Sequence, residues 1–99
     1  MTKKISVIVN CHNGEKFLNK CISSILNQKY QNFEIIFYDN FSSDNSKNIV
    51  KEFKDRRVKY FFTDKKLSLY EARNRAVKLS IGEIIAFLDV DDWWEETYL

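Results

Sequence analysis

The sequence predicts an α/β domain: a mainly parallel sheet of about four strands between helices, a three-layer sandwich. Three observations predict it. Apolar runs of strand length alternate with segments of helical period, polar turns separate the two kinds, and the last apolar run is unbroken enough to read as a strand buried on both faces. At 99 residues, 44% hydrophobic and 15% aromatic, the chain suits one domain, 1–99.

Each element follows in order. Ile5-Ser6-Val7-Ile8-Val9 reads as the first strand. After Gly14, the residues Phe17, Leu18, Cys21, Ile22, Ile25 and Leu26 recur in adjacent pairs at helical spacing, which gives one broad apolar face to lay on the sheet. Phe33 to Tyr38 is a second β-rich run, closed by Asp39-Asn40-Phe41-Ser42-Ser43-Asp44. Ser43 is placed to cap a helix that turns Ile49, Val50 and Phe53 inward. Val58 to Phe62 is a shorter strand flanked by Lys and Arg, as suits a sheet edge. Leu69, Ala72, Ala76 and Leu79 have helical spacing, and Gly82 stands where a helix stop belongs. Ile84-Ile85-Ala86-Phe87-Leu88 is predicted to be a central strand.

Composition narrows the function. The 16 basic and 14 acidic residues are interspersed, without the basic stripe that tracks a nucleic-acid backbone. Cys11 and Cys21 fit no CxxC spacing and read as reduced thiols of a cytoplasmic protein. The opening Met1-Thr2-Lys3-Lys4 leads into an apolar run far too short to span a bilayer, with no cleavage site after it. With only Gly14 and Gly82, the chain has neither a GxGxxG turn nor a GxxxxGK[ST] loop, which argues against dinucleotide oxidoreductases and P-loop enzymes.

The chemistry gathers at strand ends. The first strand ends in Asn10-Cys11-His12-Asn13, the second in Asp39-Asn40, and the fourth in Asp89-Val90-Asp91-Asp92. Parallel strands bring these clusters to one rim, where open α/β sheets bind ligands. Hard carboxylate oxygens there suit Mg²⁺ or Mn²⁺ holding a diphosphate. Taken alone, the same Asp-rich stretch reads more simply as a solvated turn or as the cap of a helix starting at Trp93. Asp39 and Asn40 read also as turn residues, Arg73 as a surface arginine or a charge aimed at the rim, and His12 carries no assigned role.

The residues in sequence resemble the family 2 glycosyltransferases of the glycosyltransferase A-type, Rossmann-like fold. Ile5 through Glu15 is similar to the family's opening strand and loop, and Phe17-Leu18 through Asn27-Gln28 to its first helix. Phe33 through Asn40, with Ser42 to Asn45, looks like its second strand and Asp-rich turn. Ala72-Arg73-Asn74, Gly82-Glu83 and Phe87-Leu88-Asp89-Val90-Asp91-Asp92 resemble its most specific part, which ends in the DxD signature. The departures are Asn10 where many members have proline, Phe41 where many have glycine, and Lys65-Lys66-Leu67 in place of an Asn-x-Gly.

The resemblance implies that Asp39 contacts the base of a nucleotide, that Asn10, Arg73 and Asp89 contact the nucleotide, and that Asp89, Asp91 and Asp92 bind a divalent metal and the diphosphate. It implies an inverting single displacement from a nucleotide-diphosphate sugar, expected to be a UDP-sugar, to an acceptor hydroxyl in glycan or polysaccharide synthesis. The acceptor half and its general base are expected beyond Leu99, so no catalytic residue is assigned within the chain. The chain by itself is expected to bind donor but not turn over. In the full-length enzyme the location is the cytoplasm, or the inner face of the membrane. Trp93, Trp94, Tyr98 and Leu99 are expected to be exposed together and to drive self-association. Two other functions share the pattern: a nucleotidyltransferase-like enzyme, and a degenerate module that only mediates protein contacts.

Overall fold

The structure, a computed structural model, describes residues 3–99; Met1 and Thr2, where the predicted domain begins, lie outside the described residues. The elements run β1 (Ile5–Cys11), α1 (Leu18–Leu26), β2 (Phe33–Asn40), α2 (Ser46–Lys51), β3 (Val58–Thr63), α3 (Leu69–Leu79) and β4 (Ile84–Asp89). All pairings are parallel and the strand order is β3-β2-β1-β4. Register aligns Cys11 with Asp39 and Asn10 with Asp89, so the polar strand ends do meet at one edge.

Strand alternation divides the core. Val7, Val9, Cys11, Ile35, Phe37 and Leu88 face α1 and α2, packing on Leu18, Cys21, Ile22, Ile25 and Val50. Ile8, Ile36 and Tyr38 face α3, whose contact stripe is Ala72 and Ala76. Small side chains there let the helix lie close to the sheet. Leu69 and Leu79, predicted to share that stripe, are largely exposed. They are the first and last residues of the helix, beyond the stretch that the alanines hold against the sheet.

Several expectations change. The strand buried on both faces is β2, every residue of which is buried, whereas β4 forms the edge opposite β3. Ile84 is 45% and Phe87 47% exposed, because β4 has β1 on one side and no further strand on the other among the described residues. Gly82 is not a left-handed helix stop: α3 ends at Leu79, and no glycine has positive φ. A Cβ on Gly82 would lie 2.5 Å from Ser6 Oγ and 2.7 Å from the Ser6 backbone N, so the glycine permits a close crossing over β1. Ser43 does not cap α2, which starts after Asn45; its N–H donates instead to Asn13 Oδ1 at 2.7 Å. No helix follows Asp92, and Trp94 is buried rather than exposed. Trp94 joins the α1-side core, with Tyr98 stacked on it at 4.4 Å and Leu99 packed against the same core.

Beneath the sheet's amino edge lies a polar network that the sequence reading missed. Glu34 is buried; its Oε2 accepts from Ser6 Oγ (2.6 Å) and Ile81 N–H (2.7 Å), and its Oε1 from Lys59 Nζ (2.7 Å). Ser6 Oγ in turn accepts from Gly82 N–H at 2.8 Å. These bonds tie the α3–β4 connection to β1, β2 and β3.

Candidate functional site

At the carboxyl edge, the loop after β1 is shaped by two residues. Asn13 adopts a left-handed conformation (φ 55°), tolerated by its short amide side chain, and Asn13 Oδ1 also accepts from Asp44 N–H at 3.2 Å. Gly14 brings the loop against Val90 after β4, where a Cβ would lie 2.8 Å from either Val90 methyl. Phe41 also has positive φ (59°), a strained choice for a bulky residue at the position where many members of the resembled family have glycine. Asn40 is a clasp: its Nδ2 donates to the Leu67 carbonyl and its Oδ1 accepts from Leu67 N–H, both at 2.8 Å. This pins the loop before α3 over the strand ends.

The result is a cavity of about 470 Å³, lined by Asn10, His12, Asn13, Phe17, Asn40, Lys66, Leu67, Leu69, Asp89 and Asp91 among others. Asn10 and Asp89 share its floor because they are register partners on the α3 side of neighbouring strands. Arg73 reaches over from α3: its Nη2 is 3.5 Å from Asp89 Oδ1 and its guanidinium lies 5.3 Å from the Phe87 ring centre. It is the rim charge rather than a surface arginine. Asn10 Nδ2 and Arg73 Nε are buried without a hydrogen-bond partner. Such orphaned donors are costly in a folded protein and are explained when a ligand completes them.

Asp39 behaves differently. It follows Tyr38 and precedes Asn40 on one strand, so its side chain points to the opposite face from theirs. It lines a second cavity, of about 370 Å³, with Ser42, Asp44, Lys47, Tyr60 and Phe62 among others. The carboxylate is 3% exposed; Oδ1 accepts from Ser42 N–H at 3.0 Å and Oδ2 from the Tyr60 hydroxyl at 2.5 Å. Burial and the neighbouring Asp39 carboxylate push the Tyr60 phenol above its ordinary range, which keeps it a donor.

Asp91 lines the first cavity and also a third concavity of about 270 Å³, which it shares with Asp92, Lys16, Phe17, Lys20 and Trp93. The turn closed by Asp92 N–H to the Asp89 carbonyl (2.9 Å) carries Asp92 to that side, where its Oδ1 accepts from Trp93 N–H. Asp89 and Asp91 therefore face the first cavity, and Asp92 does not. Among the described residues no group of three acidic, histidine or cysteine side chains converges as a metal cage. A Mg²⁺- or Mn²⁺-type site needs none, since such ions are held by one or two carboxylates with substrate phosphates and water. Asp89 and Asp91 fit that donor set.

The first cavity is also lined by Phe17 and Leu67, which the sequence does not single out, and by His12, which the sequence places at the rim without a role. His12 Nδ1 donates to the Asn40 carbonyl at 2.7 Å, which orients the ring over the strand ends. No sequence signal distinguished this histidine. Burial pushes both thiols up, the Cys21 thiol to about 12, so neither is a ready nucleophile.

The family model described as "Glycosyl transferase family 2" matches residues 6–99. Among curated proteins, the Escherichia coli UDP-Glc:alpha-D-GlcNAc-diphosphoundecaprenol beta-1,3-glucosyltransferase WfgD is 41% identical over 90 residues, 91% of this chain and 36% of that protein. Glycosyltransferase GlyA of Streptococcus pneumoniae is 40% identical over 98 residues, 97% of this chain and 14% of that protein. Among solved structures, S. aureus TarS 1-349 in complex with UDP superposes with a TM-score of 0.89 at 28% identity, covering 95% of this chain and 29% of that one. The chain thus spans little more than a third of the length of WfgD, and less of the others.

Proposed function

This chain belongs to glycosyl transferase family 2, and we propose that its 99 residues bind the donor, a UDP-sugar, of an inverting sugar transfer in glycan or polysaccharide synthesis. The observation that carries the reading is the pair of orphaned buried donors, Asn10 Nδ2 and Arg73 Nε, at a rim where Arg73 and Asp89 pair beside a cavity. A nucleotide diphosphate answers that arrangement: anionic oxygens for Arg73, acceptor atoms for Asn10, and phosphates that complete a metal site on Asp89 and Asp91, with Asp92 beside them. Asp39 takes the base. The UDP-Glc in the name of WfgD and the UDP bound to TarS support a uridine nucleotide.

A divalent ion, when bound, supplies Lewis-acid stabilisation of charge on the departing diphosphate. The chain's own part is to bind and orient. Arg73, braced by Asp89 and the Phe87 ring, holds a fixed cation where that charge develops. The Asn40 clasp keeps Leu67 over the strand ends, where it lines the cavity. Sugar transfer belongs to the relatives at full length, and the isolated 99 residues are proposed to bind donor with little or no turnover. An acceptor linked to diphosphoundecaprenol, as in the name of WfgD, would set the complete enzyme at the inner face of the membrane. Among the described residues no helix is long and apolar enough to cross one.

The test is a thermal titration with uridine, guanosine and adenosine diphosphates, with and without Mn²⁺, on the chain and its Asp91→Ala variant. Ligand at about 100 times its dissociation constant adds ~2.7 kcal/mol, which raises the midpoint of so small a domain by roughly ten degrees or more. A manganese-dependent, uridine-selective rise that Asp91→Ala abolishes is the expected result. No rise with any nucleotide would instead favour a remnant that only mediates protein contacts.

A further inference from the structure

We propose that Tyr60 is a positioning residue for base recognition: with Ser42 N–H, its hydroxyl fixes the Asp39 carboxylate as an oriented acceptor for the base of a uridine nucleotide. The inference rests on the donor-binding reading above. Asp39 is almost fully buried, yet it lines the second cavity together with Ser42 and Tyr60. One oxygen is held by Ser42 N–H at 3.0 Å and the other by the Tyr60 hydroxyl at 2.5 Å, so the carboxylate cannot rotate without losing a bond. Each carboxylate oxygen keeps a further lone pair. An ionised carboxylate only accepts, which matches a base that presents a ring N–H, as the uracil imide does. It mismatches a base that presents a bare ring nitrogen.

Tyr60 is itself fixed by apolar contacts that do not involve its hydroxyl. The ring stacks on Phe37 at 6.1 Å and on Phe62 at 6.2 Å, with interplanar angles of 20° and 23°. Tyr60 pairs with Phe37 in the β2–β3 ladder, and Asp39 with Phe62. The sheet therefore sets the distance between hydroxyl and carboxylate. Tyr60→Phe deletes the hydroxyl and keeps the ring, its stacking partners and the strand.

Dissociation constants measured by calorimetry for the chain, Tyr60→Phe and Asp39→Asn, each with UDP and with inorganic diphosphate in the presence of Mn²⁺, test the proposal. Tyr60→Phe is expected to weaken UDP about tenfold, the scale of one hydrogen bond to a charged group, and to leave inorganic diphosphate unchanged. A purely structural role moves both ligands together, and that result, or no change in either, overturns the inference. If Asp39→Asn abolishes the preference for UDP over diphosphate while Tyr60→Phe keeps it, the base-contact reading stands and the role of Tyr60 falls. If Asp39→Asn also keeps that preference, both fall.

Discussion

The two ends of the sheet are built from the same strands on opposite terms. At the amino edge, both carboxylate oxygens of Glu34 are engaged, and Ser6 Oγ donates to one neighbour and accepts from another. At the carboxyl edge, Asn10 and Arg73 keep buried nitrogen atoms unpartnered, Asp89 is largely exposed, and cavities open between the loops. A buried network whose members are all satisfied rigidifies a fold, whereas orphaned donors beside a cavity are a standing cost that a ligand can relieve. The contrast teaches a division of labour. One edge carries stability, and the other gives some of it up at the site proposed to bind the donor.

The strongest attempt to break that division is Glu34→Ala. Deleting the carboxylate leaves Ser6 and the Ile81 N–H without their acceptor and takes the partner from Lys59, whose own side chain is 38% exposed, a loss of about 2 kcal/mol. Urea denaturation should report that loss, with the nucleotide affinity of the folded protein unchanged. A variant that keeps its stability and loses affinity would show that the two edges are not independent.

The same contrast explains what could be read from the sequence. Alternation of strand and helix, the parallel sheet, the β3 edge and the meeting of Asn10, Asp39 and Asp89 at one rim were all legible, because hydrophobic period and strand-end polarity record them directly. The place of β4 was not: an apolar run does not say how many neighbours it has, and Ile84-Ile85-Ala86-Phe87-Leu88 reads as central whether or not another strand pairs with it. Glu34 was hidden because its partners Ser6, Lys59 and Ile81 lie 28, 25 and 47 positions away. The separation of Asp39 from Asp89 into different cavities was implicit in alternation, since Asp39 and Asn40 cannot face the same side. Motif reading treated them as one cluster. The role of Gly82 depends on the Ser6 backbone crossing beneath it, which no local pattern records.

A smaller effect sharpens the comparison from the other edge. Asn10→Ala removes a buried amide nitrogen that has no partner, so it should leave stability unchanged or raise it by up to ~1 kcal/mol, against the usual direction of a polar-to-alanine change. UDP affinity in the presence of Mn²⁺ should fall about fivefold as the amide's contact is lost. Denaturation and calorimetry on one preparation read both numbers. A clear loss of stability would mean that the Asn10 amide already serves the free fold, and the carboxyl edge would not be the strained one.

The smallest effect is the pH dependence of the amino edge. Burial alone would raise the Glu34 pKa, but the Ile81 N–H, Lys59 and Ser6 outweigh it and hold the carboxyl below its ordinary value of 4.5. A group whose folded pKa lies below its unfolded one binds fewer protons in the native state. Its contribution is therefore complete above the unfolded value and is lost as pH falls through the folded one. The stability gap between the chain and Glu34→Gln should be flat from neutrality down to the region of 4.5 and should narrow below it. Other carboxylates, Asp44 and Asp55 among them, are also held low, so only the difference between the two proteins isolates Glu34. A gap that stays constant through the acid range would mean that Glu34 acts by packing and shape, and that the saturated edge owes its strength to something other than the charge at its centre.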